Sequence, residues 1–186
     1  MTYYFSDASL PSNFSKIVKN SRELNTKEDY QHFLVSIILA DKQNPQSASN
    51  PSKLFKDELI QINKGKPLTE KTQWGGVSLK KVDVARDFIQ KLLVINTYGI
   101  LGFEIHKYKL EKLKILEGTC LVLYSNHKAN EWKKGRVKID LAKKGDKFEF
   151  QPNDEHGIIA LTECIIEETS TNHLDDSIFI FKADQV

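Results

Sequence analysis

The sequence predicts a mainly β protein, a sandwich or barrel of short strands preceded by an N-terminal α-helical extension. Three observations lead there. Apolar residues in the first third recur at helical spacing, the period changes to alternation after Trp74, and the later strand-like runs are short and separated by Gly, Asn and Pro turns. A chain of 186 residues can bury one good core and carry a small helical appendage. We expect residues 1–68 to form the extension and residues 69–186 the barrel.

Each element has its own justification. Phe14, Ile17 and Val18 follow Ser12 at helical spacing. Thr26 reads as an N-cap with Asp29 in the capping-box position, and Tyr30, Phe33, Leu34, Ile37 and Ile38 then mark one apolar helix face. Gln43 to Pro51 is a turn-rich linker. A third helix starts near Ser52, buries Phe55, Leu59 and Ile62, and stops at Gly65 before Pro67. In the second part, Leu92 to Asn96 is an apolar run, and Val137, Ile139 and Leu141 alternate with Arg136, Lys138 and Asp140. The stretch from Ser125 to Gly135 fits a long hairpin connection, and no internal repeat is visible.

Composition excludes several classes. Hydrophobic residues make up 40% and charged residues 28%, as in ordinary soluble proteins. A net charge of +2, with lysines interleaved among acids, gives no electrostatic case for nucleic acid. The longest apolar run, Phe33 to Ala40, is too short to span a membrane, and the N-terminus lacks the pattern of a signal peptide. Cys120 and Cys164 lie in apolar strand-like runs and read as small buried hydrophobes, so the expected compartment is a reducing cytoplasm. There is no phosphate-cradling glycine loop, nucleophile elbow or CxxC.

The chemistry concentrates between Gly102 and Gly118. Glu104, His106 and Tyr108 alternate with Phe103, Ile105 and Lys107, so a strand would aim three polar groups at one face. Glu111 then falls in phase with Leu113 and Ile115, opposite Lys112 and Lys114. Two carboxylates and an imidazole converging inside β-structure need a partner, since burying them alone is costly. A metal ion or a polar ligand is the usual answer. Downstream, a strand with Phe148 and Phe150 on one face ends at Pro152, and His156 opens the next apolar run.

These two segments resemble the paired motifs of the cupin superfamily. The first pairs a Gly with HxH, a Glu and a closing Gly, matched here by His106, Glu111 and Gly118; the second has Gly, Pro and His, matched by Gly145, Pro152 and His156. The likeness is closest to the cupin domain of phosphomannose isomerases and related capsule and sialic-acid pathway cupins. Their Q-x-H-x-H-x-x-E run aligns without a gap with Glu104, His106, Tyr108 and Glu111. The run from Ile165 to Asp176 resembles the tail of that group, and Thr72-Gln73-Trp74-Gly75 its upstream "KPWG" with Gln in place of Pro. The resemblance spans roughly residues 70 to 182. Three departures stand against it: Tyr108 replaces the second His, Glu104 replaces the Gln, and the Arg and Tyr-Gly-Arg of the family tail are missing.

The resemblance implies a cupin double-stranded β-helix, or jelly-roll barrel, and the habit of the family implies a homodimer. It implies a divalent metal (zinc, manganese or iron) held by His106, Glu111 and His156, with Glu104 as a fourth ligand or as a base. Glu104 and Glu111 are the candidate proton carriers, and Tyr108 and Trp74 the candidate contacts to a sugar or sugar phosphate. On that reading the protein is a metal-dependent sugar-phosphate isomerase or epimerase. Two rivals stand beside it: a non-catalytic cupin, carbohydrate-binding or structural, with its metal site eroded at Tyr108, and a metal-dependent dioxygenase. Each residue also has a plainer reading: Glu111 as a surface glutamate in a lysine-rich stretch, Tyr108 as an aromatic filler, Trp74 as core packing. His32, His127 and His173 read as solvated, and Asp175 and Asp176 as loop anchors.

Overall fold

The structure is a computed structural model that describes residues 2–5, 10–21, 23–125, 135–173 and 175–186. In chain order the elements are β1 (Tyr3–Phe5), α1 (Ser12–Asn20), β2 (Glu23–Leu24), α2 (Lys27–Gln43), α3 (Lys53–Asn63), β3 (Thr69–Thr72), β4 (Gly75–Asp83), β5 (Phe88–Ile95), β6 (Ile100–His106), β7 (Glu111–Glu117), β8 (Thr119–Tyr124), β9 (Arg136–Lys143), β10 (Lys147–Phe150), β11 (His156–Ala160), β12 (Cys164–Ser170) and β13 (Ser177–Phe181). Most of the stretch between Ser125 and Gly135, with His127, lies outside the described residues.

The strands form two sheets, of order β13-β6-β11-β8-β9-β1-β2 and β10-β7-β12-β5-β4-β3. From β5 to β13 the chain alternates between them at every step except β8 to β9, which pair antiparallel in one sheet. The orders β5-β12-β7-β10 and β6-β11-β8-β9 are those of a jelly roll, the double-stranded β-helix. The fold is therefore mainly β, with helices added at the N-terminal end.

The helices turn this two-sheet sandwich into four layers. Helices α1 and α2 cover the outer face of the seven-stranded sheet: Phe14, Val18, Tyr30, Phe33, Leu34, Ile37 and Ile38 form one cluster with Ile100, Phe103, Leu121, Leu123 and Ile139. Helix α3 covers the other sheet, with Phe55 and Ile62 against Leu92, Val94 and Ile165. Between the sheets lie Leu93, Ile95, Leu113, Ile115, Cys120, Val122, Phe150, Ile158, Cys164 and Ile166. Strands such as β8 and β11 are thus buried on both faces, which is why they read as unbroken apolar runs instead of alternating. The two cysteines are free and fully buried.

Local signals set the helix ends where the sequence places them. The Thr26 hydroxyl accepts the Asp29 N–H at 3.1 Å and Asp29 Oδ2 accepts the Thr26 N–H at 3.0 Å, closing a capping box. Ser52 caps α3 by accepting from the Phe55 N–H. Residues 1–68 are not helical throughout: β1 pairs in parallel with β9, and β2 pairs with β1. Two-residue pairings of this kind are too short to announce themselves by alternation. Gly118 sits at φ 86°, and a Cβ there would run into the Glu163 carbonyl oxygen, so the tight turn from β7 to β8 requires glycine. No helix among the described residues is long and apolar enough to cross a membrane.

Candidate functional site

The polar residues meet at one end of the space between the sheets. Strand β6 delivers Glu104 and His106, and it does so through a bulge. His156 pairs with Glu104 but Ile158 pairs with Leu101, so β6 holds one extra residue in that interval. Leu101 packs on the inner cluster, whereas Ile100 and Phe103 pack on the helix-facing one. The extra residue restores the inward phase for Glu104 and His106, a common use of bulges beside sites. His156 opens β11 next to them, and Glu111 opens β7 in the facing sheet.

Glu104, His106 and His156 offer ligand atoms that all lie within 4.8 Å of one another. Glu111 completes the set from across the gap: its Oε2 is 3.4 Å from His106 Nε2 and its Oε1 is 3.5 Å from His156 Nε2. Donor atoms sharing one tetrahedral metal with bonds of about 2.0–2.1 Å would sit roughly 3.3–3.4 Å apart. His106 Nε2 is buried and makes no hydrogen bond among the described residues. The His156 Nδ1 faces the Asp154 carbonyl oxygen at 3.2 Å, and a carbonyl only accepts, so the neutral ring carries its proton there and presents the Nε2 lone pair to the gap. Two imidazoles with carboxylates suit zinc, manganese or iron. The residues present fit a divalent metal.

Charge is dense around these groups. Lys109 Nζ lies 2.5 Å from Glu111 Oε2 and 3.2 Å from Glu168 Oε1, and Lys91 Nζ lies 3.0 Å from the same Glu168 oxygen. Burial opposes the ionisation of Glu111, but the imidazoles of His106 and His156 and the Lys109 ammonium outweigh it and hold its pKa well below the usual range. Burial likewise works against the Lys109 ammonium, yet Glu111 and Glu168 outweigh it and raise its pKa. Glu168 is raised, by burial first and then by repulsion from Glu111. His156 is raised too, because Glu111 and Glu104 outweigh its burial.

A cavity of about 280 Å³ opens beside this cluster, lined by Glu104, Glu111, His156, Lys91, Lys109 and Glu168 together with Thr72, Trp74, Ser177 and Phe179. The Thr72 hydroxyl is buried there with no hydrogen-bond partner among the described residues. Trp74 lines the wall and also packs on the inner core.

Tyr108 does not join the others. Strand β6 ends at His106, and the Asp176 carboxylate takes the N–H groups of both Tyr108 and Lys109 at 2.7 Å, bending the chain out of the strand phase. Tyr108 is left 58% exposed, its ring 6.0 Å from that of His173 and away from the cavity lining. Its expected role as a pocket hydrogen-bond donor is corrected on that ground. Asp176 is the loop anchor that turn aspartates often are. His32 and His173 are exposed.

Lys91, Lys109 and Glu168 were not singled out in the sequence. Lys109 is hidden among the solvated lysines around it. Glu168 did leave a signal: with Glu167 and Glu168 consecutive in one strand, one of the two must face inward.

No protein-family model matches the chain, and no curated protein matches it. Among solved structures, it is similar to KdgF from Halomonas sp. (14% identity, TM-score 0.45, over 54% of this chain and 81% of that one). It is also similar to an RmlC-like cupin from Shewanella frigidimarina (16%, TM-score 0.47, over 58% and 86%). A third similarity is to an oxalate decarboxylase from Lactobacillus farciminis, solved as its formate complex (15%, TM-score 0.49, over 60% of this chain and 33% of that one). At these identities and TM-scores the likeness carries no argument about chemistry. Strand order and register make the chain a double-stranded β-helix, a jelly roll, with a candidate metal centre at one end of the space between its sheets.

Proposed function

We propose that the barrel binds one divalent metal at His106, His156 and the carboxylates beside them, and acts on a small sugar or sugar phosphate by moving a proton between adjacent carbons. The observation that carries this reading is the spacing of His106 Nε2 and His156 Nε2 from the two oxygens of Glu111, with His106 Nε2 otherwise unpartnered. The size of the cavity, at the small end for ligand sites, supports a sugar-sized ligand. Trp74 offers such a ligand an aromatic face, and Ser177 offers it a hydroxyl. Formally, Glu104, Glu111 and Glu168 exceed Lys91 and Lys109 by one negative charge, so a divalent ion makes the cluster positive and suited to an anionic group such as a phosphate.

When bound, the metal would polarise a substrate carbonyl or hydroxyl and stabilise the anion left as a neighbouring proton departs. Of the two expected proton carriers, Glu104 is the better placed. It lines the cavity, and its nearest basic neighbour is His106 at 4.0 Å. Glu111, held ionised between two imidazoles and an ammonium, is a poor proton acceptor. It serves as ligand and orienting group.

The non-catalytic reading has one observation in its favour: the Lys109 ammonium already neutralises Glu111 without any metal. Metal content of protein purified without chelator, by inductively coupled plasma mass spectrometry, separates the readings. Near-stoichiometric metal that disappears in His106→Ala/His156→Ala supports a metal enzyme. The loaded protein is then assayed for aldose–ketose interconversion by NMR and for oxygen uptake, the latter selecting a dioxygenase. Folded wild type that takes up no zinc, manganese or iron overturns the metal reading.

A further inference from the structure

Lys109 is an unusual neighbour for a metal site. A cation beside a carboxylate ligand repels the metal and withdraws electron density from the ligand. Yet the fold takes trouble to put it there. Asp176 fixes the turn by accepting the Lys109 N–H at 2.7 Å. The side chain then runs inward, 8% exposed, to reach Glu111 Oε2 and Glu168 Oε1. Glu111 Oε2 is also the oxygen 3.4 Å from His106 Nε2, so the ammonium and a shared metal call on one atom. Glu111 Oε1 faces His156 Nε2 at 3.5 Å.

The geometry points to Lys109 as a resident counter-cation of the site, which neutralises Glu111 when no metal is bound and thereby weakens and regulates divalent-metal binding. This rests on the metal reading above. Two effects oppose each other. An outer hydrogen bond that orients a ligating carboxylate strengthens metal binding, and its loss usually weakens binding tenfold or more. A full positive charge a few ångströms from a divalent ion, in a poorly screened interior, weakens binding by more than that. Repulsion therefore wins, and removing the ammonium tightens the site. Without metal, the same lysine spares the fold a buried pair of carboxylates with too few partners. Lys109 is thus a positioning residue, setting how much free metal is needed to load the site.

The test is calorimetric titration of Zn2+ and Mn2+ into metal-stripped wild type, Lys109→Met and Lys109→Arg at neutral pH. Lys109→Met is expected to bind at least about tenfold more tightly than wild type, and Lys109→Arg, which keeps the charge, to stay within about threefold of it. A purely structural role for Lys109 predicts the opposite sign, weaker binding in Lys109→Met. Should that variant fail to fold, Lys109→Met/Glu168→Gln also removes the second carboxylate that the ammonium held and is expected to show a tightening of the same sign but smaller, since one anion is lost with the cation. Wild type that binds metal while neither Met variant binds more tightly overturns the counter-cation role and leaves the metal reading standing. No binding by any of the four proteins overturns both.

Discussion

Phe150 and His156 stack face to face, their ring centroids 4.3 Å apart and their planes 9° from parallel. The benzyl ring comes from β10, at the edge of one sheet, and the imidazole from β11 in the other, so one core aromatic fixes the plane of a candidate ligand across the sandwich. Phe150→Ala is expected to cost about 3–5 kcal/mol of stability for the lost burial. It also frees the imidazole, and zinc affinity is expected to fall about tenfold or more. Urea denaturation and zinc titration check the two parts, and unchanged affinity with reduced stability would limit Phe150 to packing.

Glu111 holds Lys109 and faces both histidines. Glu111→Gln leaves the buried Lys109 with Glu168 as its remaining carboxylate and is expected to destabilise the protein by about 3 kcal/mol. Metal binding should fall in parallel. Stability equal to wild type would show that the pair contributes nothing net to the fold.

How much of this was legible in the sequence depended on whether a residue's signal was local. The helix caps at Thr26 and Ser52 could be read because a cap is a contact between residues three apart. His106, Glu111 and His156 could be read because strand phase and motif order place them on inward positions. Tyr108 was misplaced because alternation was carried past the end of β6, where the distant Asp176 bends the chain. The bulge in β6 was invisible because it exists only as a register shift against β11. Lys109 looks like its solvated neighbours until the fold turns it inward.

Tyr30 lies fully buried between α2 and the seven-stranded sheet, and its hydroxyl has no hydrogen-bond partner among the described residues. Its ring stacks on Phe181 at 5.3 Å. Tyr30→Phe keeps the ring and removes a desolvated polar atom, so it is expected to raise stability by up to about 1 kcal/mol. Thermal unfolding decides, and a clear drop in Tm would reveal a partner for the hydroxyl.

Alkaline pH should unfold the protein through its tyrosines. Burial, and then the charge of Glu155, push Tyr3 up to about 12. Burial raises Tyr30, and burial with the bond to Asp140 raises Tyr124. A raised folded pKa means that the unfolded chain loses these protons first. The stabilisation is complete below the ordinary value of about 10 and is lost as pH climbs toward the folded values. Tm is expected to begin falling near about pH 9, as thiols ionise in the unfolded chain ahead of the buried Cys120, and to fall more steeply between about 10 and 12, a fall reduced in Tyr124→Phe. A flat profile to pH 12 would contradict the shifts.

The four-layer arrangement also has a consequence for mutational tolerance. In an ordinary half-buried strand, every second residue is free to vary. Here the residues of β8 between Thr119 and Tyr124 and all five of β11 are buried on one side or the other, so neither parity has latitude. Strand β7 keeps its freedom at Lys112 and Lys114, which point to solvent. A saturation library selected for folding should therefore show two solid bands of intolerance at β8 and β11, and a striped one at β7. The strand that delivers His156 to the site is among those least able to drift.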